Sequence, residues 1–367
     1  MRIVIAGGHL TPALSVIEEL PKDTDILYIG RKYAIEGDKA VSLEYQTITK
    51  NGIRFYVLKT GRIQRRLTRH SLSSFSKIPL GIGQSLYILK RFKPNVIVGF
   101  GGYVSFPVCI AGKILGIPIV IHEQTLEAGA TNRVIGKIAD KICISFESSK
   151  KYFPAEKVVF TGNPIRSAIL HPTKKLNFDL KNPIIYITGG SLGSHAINQL
   201  VSSSLSKLLS RFSVIHQTGA SEEFNDFDKL SILRDGLNND KRGKYVISKF
   251  FSPEDIGSIL KISDIVVSRA GINTVSELLV FKKPAFLIPL PISQKNEQFK
   301  NAMLLNKLGL AEVVEQKNLT SELFLEKINY MADNIEKYNL ISDKNHIPKN
   351  ATKKIVEVIY AVPKNSN

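Results

Sequence analysis

Three glycine-bearing segments carry the residue types and spacing that chemistry on an anionic ligand needs. The first is Ala6-Gly7-Gly8-His9-Leu10-Thr11-Pro12, which closes an apolar, β-branched run and opens a helix-length stretch. Glycines let a backbone approach a ligand closely, and a helix N-terminus attracts negative charge. A tight strand-to-helix turn asks for the same residues. His9 is a candidate general base, with capping of the following helix as its structural alternative. The second segment, Gly189-Gly190-Ser191-Leu192-Gly193-Ser194, has the same character and offers backbone N–H groups and a hydroxyl to a diphosphate. The third, Ser268-Arg269-Ala270-Gly271-Ile272-Asn273-Thr274-Val275-Ser276-Glu277, ends a strand and starts a helix at Thr274. Glu277 then has the spacing of a capping box. A carboxylate near the carboxyl end of a strand is also placed to accept the hydroxyls of a ribose. None of the three is the GxGxxG dinucleotide fingerprint.

These loops need strands before them and helices after them, and the chain supplies both. Short apolar runs at 2–6, 25–30, 54–58, 96–99, 117–122, 141–145 and 158–161 form one set of expected strands. Runs at 184–188, 212–217, 245–248, 264–268 and 285–288 form a second. Amphipathic stretches such as 12–20, 78–92 and 274–281 separate most of them. Nearly all-apolar strands alternating with helices indicate parallel sheets covered on both faces. The fold class is therefore α/β, a doubly wound architecture present twice. A length of 367 residues with 43% apolar content suits two domains. The seam is expected near Gly162-Asn163-Pro164, followed by a connecting helix and a polar linker over 166–182. The tail at 351–361 has the periodicity of a helix with Ile355, Val358 and Ile359 on one face.

No apolar run reaches the ~20 residues of a membrane span, and the N-terminus lacks the features of a secretory leader. Cys109 and Cys143 lie in apolar runs, which suits buried free thiols and a reducing cytoplasm. The formal charge is +18. No acidic residue occurs between Glu44 and Glu123, while Lys50, Arg54, Lys59, Arg62, Arg65, Arg66, Arg69, Lys77, Lys90, Arg91, Lys93 and Lys113 fall there. A surface of one sign attracts anionic lipid, phosphorylated substrates or nucleic acid. The absence of zinc-finger or RNP-type patterns argues against nucleic acid as a partner.

The segments also have a collective pattern. In order they are Gly7-Gly8-His9 with Pro12; Gly61-Arg62 through Arg65-Arg66; Gly99-Phe100-Gly101-Gly102-Tyr103-Val104-Ser105 with Pro107; Ile121-His122-Glu123-Gln124 with Ala128-Gly129 and Thr131-Asn132; Thr161-Gly162-Asn163-Pro164-Ile165-Arg166; Gly189 to Gly193; Arg269-Ala270-Gly271 through Glu277; and Gln298 with Asn301-Ala302. Nearly end to end, this resembles the MurG family of inverting N-acetylglucosaminyltransferases, which have the two-domain GT-B fold with a central cleft. Three departures are visible: the first glycine loop is shorter than is usual in the family, Thr125 stands where Asn is common, and the residue usual beside the phenylalanine is displaced in Phe250-Phe251-Ser252-Pro253-Glu254-Asp255.

The resemblance implies a donor, UDP-N-acetylglucosamine, held mainly by the second domain. Gly190, Ser191 and Gly193 would meet its diphosphate, Arg166 a phosphate or the sugar, and Gln298 the sugar. Glu277 would bind the ribose, backed by Ile272, Asn273, Thr274, Val275 and Ser276, with Arg269 and Phe251 also counted at this site. The acceptor implied is the muramyl-pentapeptide carried on undecaprenyl diphosphate. Gly7, Gly8, His9, Gly101, Gly102, Tyr103, Thr125 and Asn132 would face it. His9 is the first candidate base and Glu123 the second, with ordering of the next loop as the structural alternative for Glu123. No metal or cofactor is implied. The division adopted is 1–163 for an acceptor- and membrane-facing domain, with the C-terminal helix at about 345–362 as a candidate to pack back on it, and 164–344 for the UDP-sugar domain. The basic run Arg62, Arg65, Arg66 and Arg69, followed by Phe75, Ile78, Leu80, Ile82, Leu86 and Ile88, suits docking on an anionic cytoplasmic membrane face as a peripheral protein. A core role for its apolar residues is the alternative. The rival functions are another GT-B UDP-sugar transferase with a different lipid acceptor, or a UDP-N-acetylglucosamine 2-epimerase.

Overall fold

The computed structural model describes residues 1–33, 41–61, 69–174, 176, 183–339, 348 and 350–362, with backbone alone for 69–76 and 294. Two parallel sheets organise it. The first contains β1 (Arg2–Ala6), β2 (Asp25–Gly30), β3 (Arg54–Val57), β4 (Val96–Gly99), β5 (Ile119–Glu123), β6 (Lys141–Ile144) and β7 (Val158–Phe160). Their order is β3-β2-β1-β4-β5-β6-β7. The second contains β8 (Ile184–Thr188), β9 (Ser213–Gln217), β10 (Tyr245–Ser248), β11 (Ile265–Ser268), β12 (Ala285–Leu287) and β13 (Ala311–Val313), in the order β10-β9-β8-β11-β12-β13. In each sheet the winding reverses beside its first strand, between β1 and β4 and between β8 and β11. Ligands of doubly wound sheets bind at the carboxyl ends of the strands flanking such a reversal. The glycine segments sit there.

The strands form where apolar β-branched residues are buried on both faces. β1 and β4 show this most fully: Ile3, Val4, Ile5, Val96, Ile97 and Val98 have no exposed surface. Several boundaries differ from the sequence reading by one or two residues, as at β3 and β5. β13 was not anticipated. Three residues are too few to display a period, and its middle residue is Glu312. That carboxylate is tolerated because the Tyr338 hydroxyl and the Lys327 ammonium donate to it at 3.0 and 3.5 Å.

By its contacts the chain divides into two compact units, Met1–Arg166 with Pro348–Asn367, and Ser167–Ile347. In the first unit the C-terminal helix Ala351–Ala361 packs against the helix Leu10–Glu19. Ile355 and Ile359 are buried there with Ile3, Ala13 and Val16. The Tyr360 hydroxyl lies 2.7 Å from Thr24 Oγ1, and Thr352 Oγ1 donates to the Ile165 carbonyl at 3.2 Å. Only a short helix, Ser167–Leu170, and fragments of the expected linker are described; 175 and 177–182 lie outside the described residues. If the last helix is integral to the first unit, Ile355→Ala will lower stability by about 2–5 kcal/mol. The exposed neighbour Lys353→Ala will change it by no more than ~0.5 kcal/mol. Urea unfolding followed by circular dichroism distinguishes the two outcomes.

Candidate functional site

In the first unit β1, β4 and β5 bring their loops together. The Gly7-Gly8-His9 backbone runs directly against Gly101-Gly102, and a Cβ at Gly8 would overlap the Gly101 carbonyl. Gly101 and Gly102 themselves take φ of +75° and +72°, open to glycine at little cost. The His9 N–H donates to the Phe100 carbonyl at 3.3 Å. Beneath the loops the buried Ser105 hydroxyl lies 2.6 Å from the Gly101 carbonyl, 3.0 Å from that of Gly7 and 3.2 Å from that of Ala6. Sequence reasoning gave Ser105 no separate role, because its three partners are contributed by two distant loops.

His9 occupies the N-cap of the helix Leu10–Glu19, but its side chain makes no capping bond. His9 is exposed, with the Gly101 backbone close to its ring. Loss of surrounding water lowers its pKa, and the negative charge of Glu123 opposes that shift. A neutral imidazole is thereby favoured, the form that accepts a proton. Glu123 is different. Its Oε1 accepts from the Thr125 N–H (3.0 Å) and hydroxyl (2.6 Å). Its Oε2 accepts from the Gly129 N–H (2.9 Å) and Asn132 Nδ2 (3.0 Å). Gly129 caps the helix Ala130–Ile138, so this carboxylate orders the loop and helix that follow β5. Asn132 also donates to the His122 carbonyl at 3.1 Å. Asn132 Oδ1 and Gln124 Oε1 are buried without a partner among the described residues, which leaves them able to accept from a bound molecule. Tyr103 is half-buried against the core. Arg166 is engaged by Glu18, with Nε and Nη2 donating to Oε1 at 3.0 and 2.6 Å.

The second unit holds a pocket of about 790 Å³ at the ends of β8 and β11. Gly190, Ser191, Gly193, Arg269, Thr274 and Gln298 all line it, while Phe251, Asn273 and Glu277 lie outside its lining. A Cβ at Gly193 would overlap the Thr218 carbonyl, so the loop depends on glycine there. Ser194 caps the helix His195–Arg211, accepting from the Ile197 N–H. Both Nη groups of Arg269 are committed to protein acceptors. Nη1 donates to the carbonyls of Ile288 (3.1 Å) and Pro289 (3.3 Å), and Nη2 to Ser194 Oγ (2.7 Å) and Gln316 Oε1 (2.6 Å). It staples the glycine loop to the neighbouring loops. Gln298 Oε1 accepts from the Leu290 N–H at 3.0 Å. Gln217, which sequence reasoning missed, donates to the Gly190 carbonyl (3.1 Å) and accepts from the Phe251 N–H (3.0 Å). No local spacing signals a bridge between chain segments that far apart.

The capping-box alternative for Glu277 is corrected by the helix boundary. The helix runs Ile272–Phe281 with Gly271 as its N-cap, so Thr274 is already inside it. Ile272, Val275 and Ser276 face inward, and Ser276 Oγ donates to the Ile272 carbonyl at 2.8 Å. The Glu277 carboxylate lies one turn beyond Thr274. It has no hydrogen-bond or ion-pair partner among the described residues, and burial pushes its pKa up to about 7. A carboxylate held away from water without a partner is costly, and a ligand's hydroxyls would relieve that cost.

Two parallel α/β units with glycine loops at their strand reversals are the architecture of the GT-B class, to which nucleotide-sugar transferases belong. The glycosyltransferase family 28 N-terminal domain matches residues 6–144, and the family 28 C-terminal domain matches 184–359. The chain is 34% identical to the UDP-N-acetylglucosamine--N-acetylmuramyl-(pentapeptide) pyrophosphoryl-undecaprenol N-acetylglucosamine transferase of Clostridium botulinum (strain Loch Maree / Type A3), over 98% of both chains. It is similar to the crystal structure of Acinetobacter baumannii MurG, with a TM-score of 0.73 and 26% identity over 98% of this chain and 99% of that one. The chain belongs to the MurG family within glycosyltransferase family 28. The Neisseria meningitidis UDP-GlcNAc 2-epimerase bound to UDP-GlcNAc (TM-score 0.63, 17% identity, 98% of this chain and 100% of that one) shares the fold alone.

A ribose acceptor role for Glu277 has a pH signature. Below about 7 the carboxyl is protonated and loses acceptor capacity, so uridine will bind more weakly as pH falls through that value and more strongly as it rises. Glu277→Gln will flatten the profile. Titration of uridine by NMR, which avoids phosphate ionisation, checks this.

Proposed function

We propose that the protein transfers N-acetylglucosamine from UDP-N-acetylglucosamine to the muramyl-pentapeptide linked to undecaprenyl diphosphate. The observation that carries this reading is the match over 98% of the chain to transferases of that name, in a chain whose second-unit pocket is lined by a glycine loop, with Glu277 nearby and unpartnered among the described residues. The first domain, 1–166 with the C-terminal helix, takes the acceptor; the second, 167–347, takes the donor. His9 removes the proton of the attacking hydroxyl. The hydroxyl oxygen bonds to the anomeric carbon as the bond to the UDP phosphate breaks, and the configuration inverts. Charge developing on the departing diphosphate is met by N–H groups of the Gly190–Ser194 loop, already oriented by the Arg269 staple. Arg166 is a further phosphate partner, exchanging Glu18 for phosphate oxygen. Glu123 acts through Thr125, Gly129 and Asn132, whose positions it sets.

The long helix Arg69–Phe92 supports docking of the first unit on an anionic membrane surface. Leu86 and Ile88 pack against the core with buried Leu89. Leu80 and Tyr87, two turns apart, are 52% and 60% exposed, and Arg91 Nη1 donates to the Tyr87 hydroxyl at 3.2 Å. An apolar pair beside basic residues suits an anionic leaflet, where each Lys or Arg contributes ~1 kcal/mol. Arg62, Arg65 and Arg66 lie outside the described residues, as do the side chains of Arg69 and Phe75. No described helix is long and apolar enough to cross a membrane. This reading makes the protein peripheral, at the cytoplasmic face. Leu80→Asp with Tyr87→Asp will reduce co-sedimentation with phosphatidylglycerol vesicles; unchanged binding would remove this helix from the docking surface.

The activity test uses labelled UDP-N-acetylglucosamine with and without the lipid-linked acceptor. Label is expected in the lipid only when acceptor is present. His9→Ala is expected to lower kcat by about 10²–10⁴-fold with little change in donor KM. Donor turnover without acceptor would point instead to epimerase chemistry.

A further inference from the structure

The second unit contains a histidine that the sequence motifs did not use. His195 is the first residue of the helix His195–Arg211 and lines the pocket next to the glycine loop. Its Nδ1 lies 2.8 Å from Asp226 Oδ1, and its ring stacks on Phe224 with centroids 3.8 Å apart and planes 12° from parallel. Asp226 is fixed in turn: its Oδ2 accepts from Asn198 Nδ2 at 2.7 Å. Asn198 also donates to the Thr218 carbonyl, and its Oδ1 lies 3.0 Å from His216 Nε2. His216 Nδ1 is 2.9 Å from the Tyr245 hydroxyl. Asn198, His216 and Tyr245 are buried, so the imidazole at the pocket is braced by a polar relay set into the core. His195 Nε2 has no partner among the described residues.

A ring clamped through one nitrogen presents the other in a defined direction. With Asp226 Oδ1 beside Nδ1, Nε2 is the ring nitrogen left to meet a ligand, and it donates when it carries a proton. The other cationic side chain lining the pocket, Arg269, has both Nη groups turned to four neutral protein acceptors, so its charge acts there from a fixed position. The pocket's glycine loop and helix N-terminus favour negative charge, and among the described lining residues His195 offers a ring nitrogen without a protein partner.

Resting on the donor reading above, we propose that His195 is a further catalytic residue. Braced by Asp226, it donates a hydrogen bond from Nε2 to the nucleotide diphosphate and stabilises the charge that diphosphate gains on leaving. The proton stays on the imidazole, and the electron pair of the broken anomeric carbon–oxygen bond goes to the phosphate oxygen.

The test compares UDP with uridine on the full chain, in the wild type and in His195→Phe, which retains an aromatic ring against Phe224. UDP affinity is expected to fall about tenfold to a hundredfold, the value of one hydrogen bond to a charged group, with uridine affinity unchanged and kcat/KM for transfer reduced. Asp226→Asn is expected to give a smaller loss confined to UDP, and His195→Arg to recover part of the UDP affinity. Equal losses for UDP and uridine, or no loss for either, would overturn the proposal and leave His195 a packing residue. A wild-type chain that binds neither UDP nor uridine would overturn the donor reading itself, and this inference with it.

Discussion

The site depends on one steric constraint: loop backbones at the strand ends approach more closely than any side chain would permit. Gly8 meets the Gly101 carbonyl in the first unit, and Gly193 meets Thr218 and Gly219 in the second. Each contact fixes a loop directly above the reversal of a parallel sheet, where helix N-termini converge. The sheets supply the platform because β1 and β4, and β8 and β11, are held in register by continuous parallel ladders. A methyl group at either pinch would push the loop off its strand ends and misdirect the N–H groups an anion needs.

Polar residues of the same type then acquire different roles from their surroundings. Glu123 is saturated by four donors and becomes a structural brace. Glu277 is held from water with no such partners, which raises its pKa and leaves it open to a ligand. The histidines divide similarly. Burial drives His122 and His216 down to about 3, so they stay neutral and serve as hydrogen-bonding members of the core. His9 faces solvent beside the glycine pinch, and His195 is clamped at the lip of a pocket. Arg269 shows the same division: the guanidinium that heads a family motif uses its Nη hydrogen bonds to position other groups.

The sequence by itself determined the two-sheet α/β class, nearly all the strands, and the three loops, because β-branched burial and glycine punctuation are local signals. The serial order of the motifs carried the family, and with it the chemistry expected of each loop. What only the tertiary structure decided were pairings between distant segments. Among these are the four acceptors of Arg269, the Arg166–Glu18 ion pair, the saturation of Glu123, the His195–Asp226 clamp, and β13, whose three residues are held in place by their neighbour β12. The capping-box spacing at Thr274 and Glu277 misled for the same reason. Helix Ile272–Phe281 starts where Gly271 leaves β11, a boundary set by where the strand ends in the sheet rather than by the side chain three residues later. Local spacing reports backbone propensity, whereas a polar side chain's partners depend on which strands the sheet sets side by side.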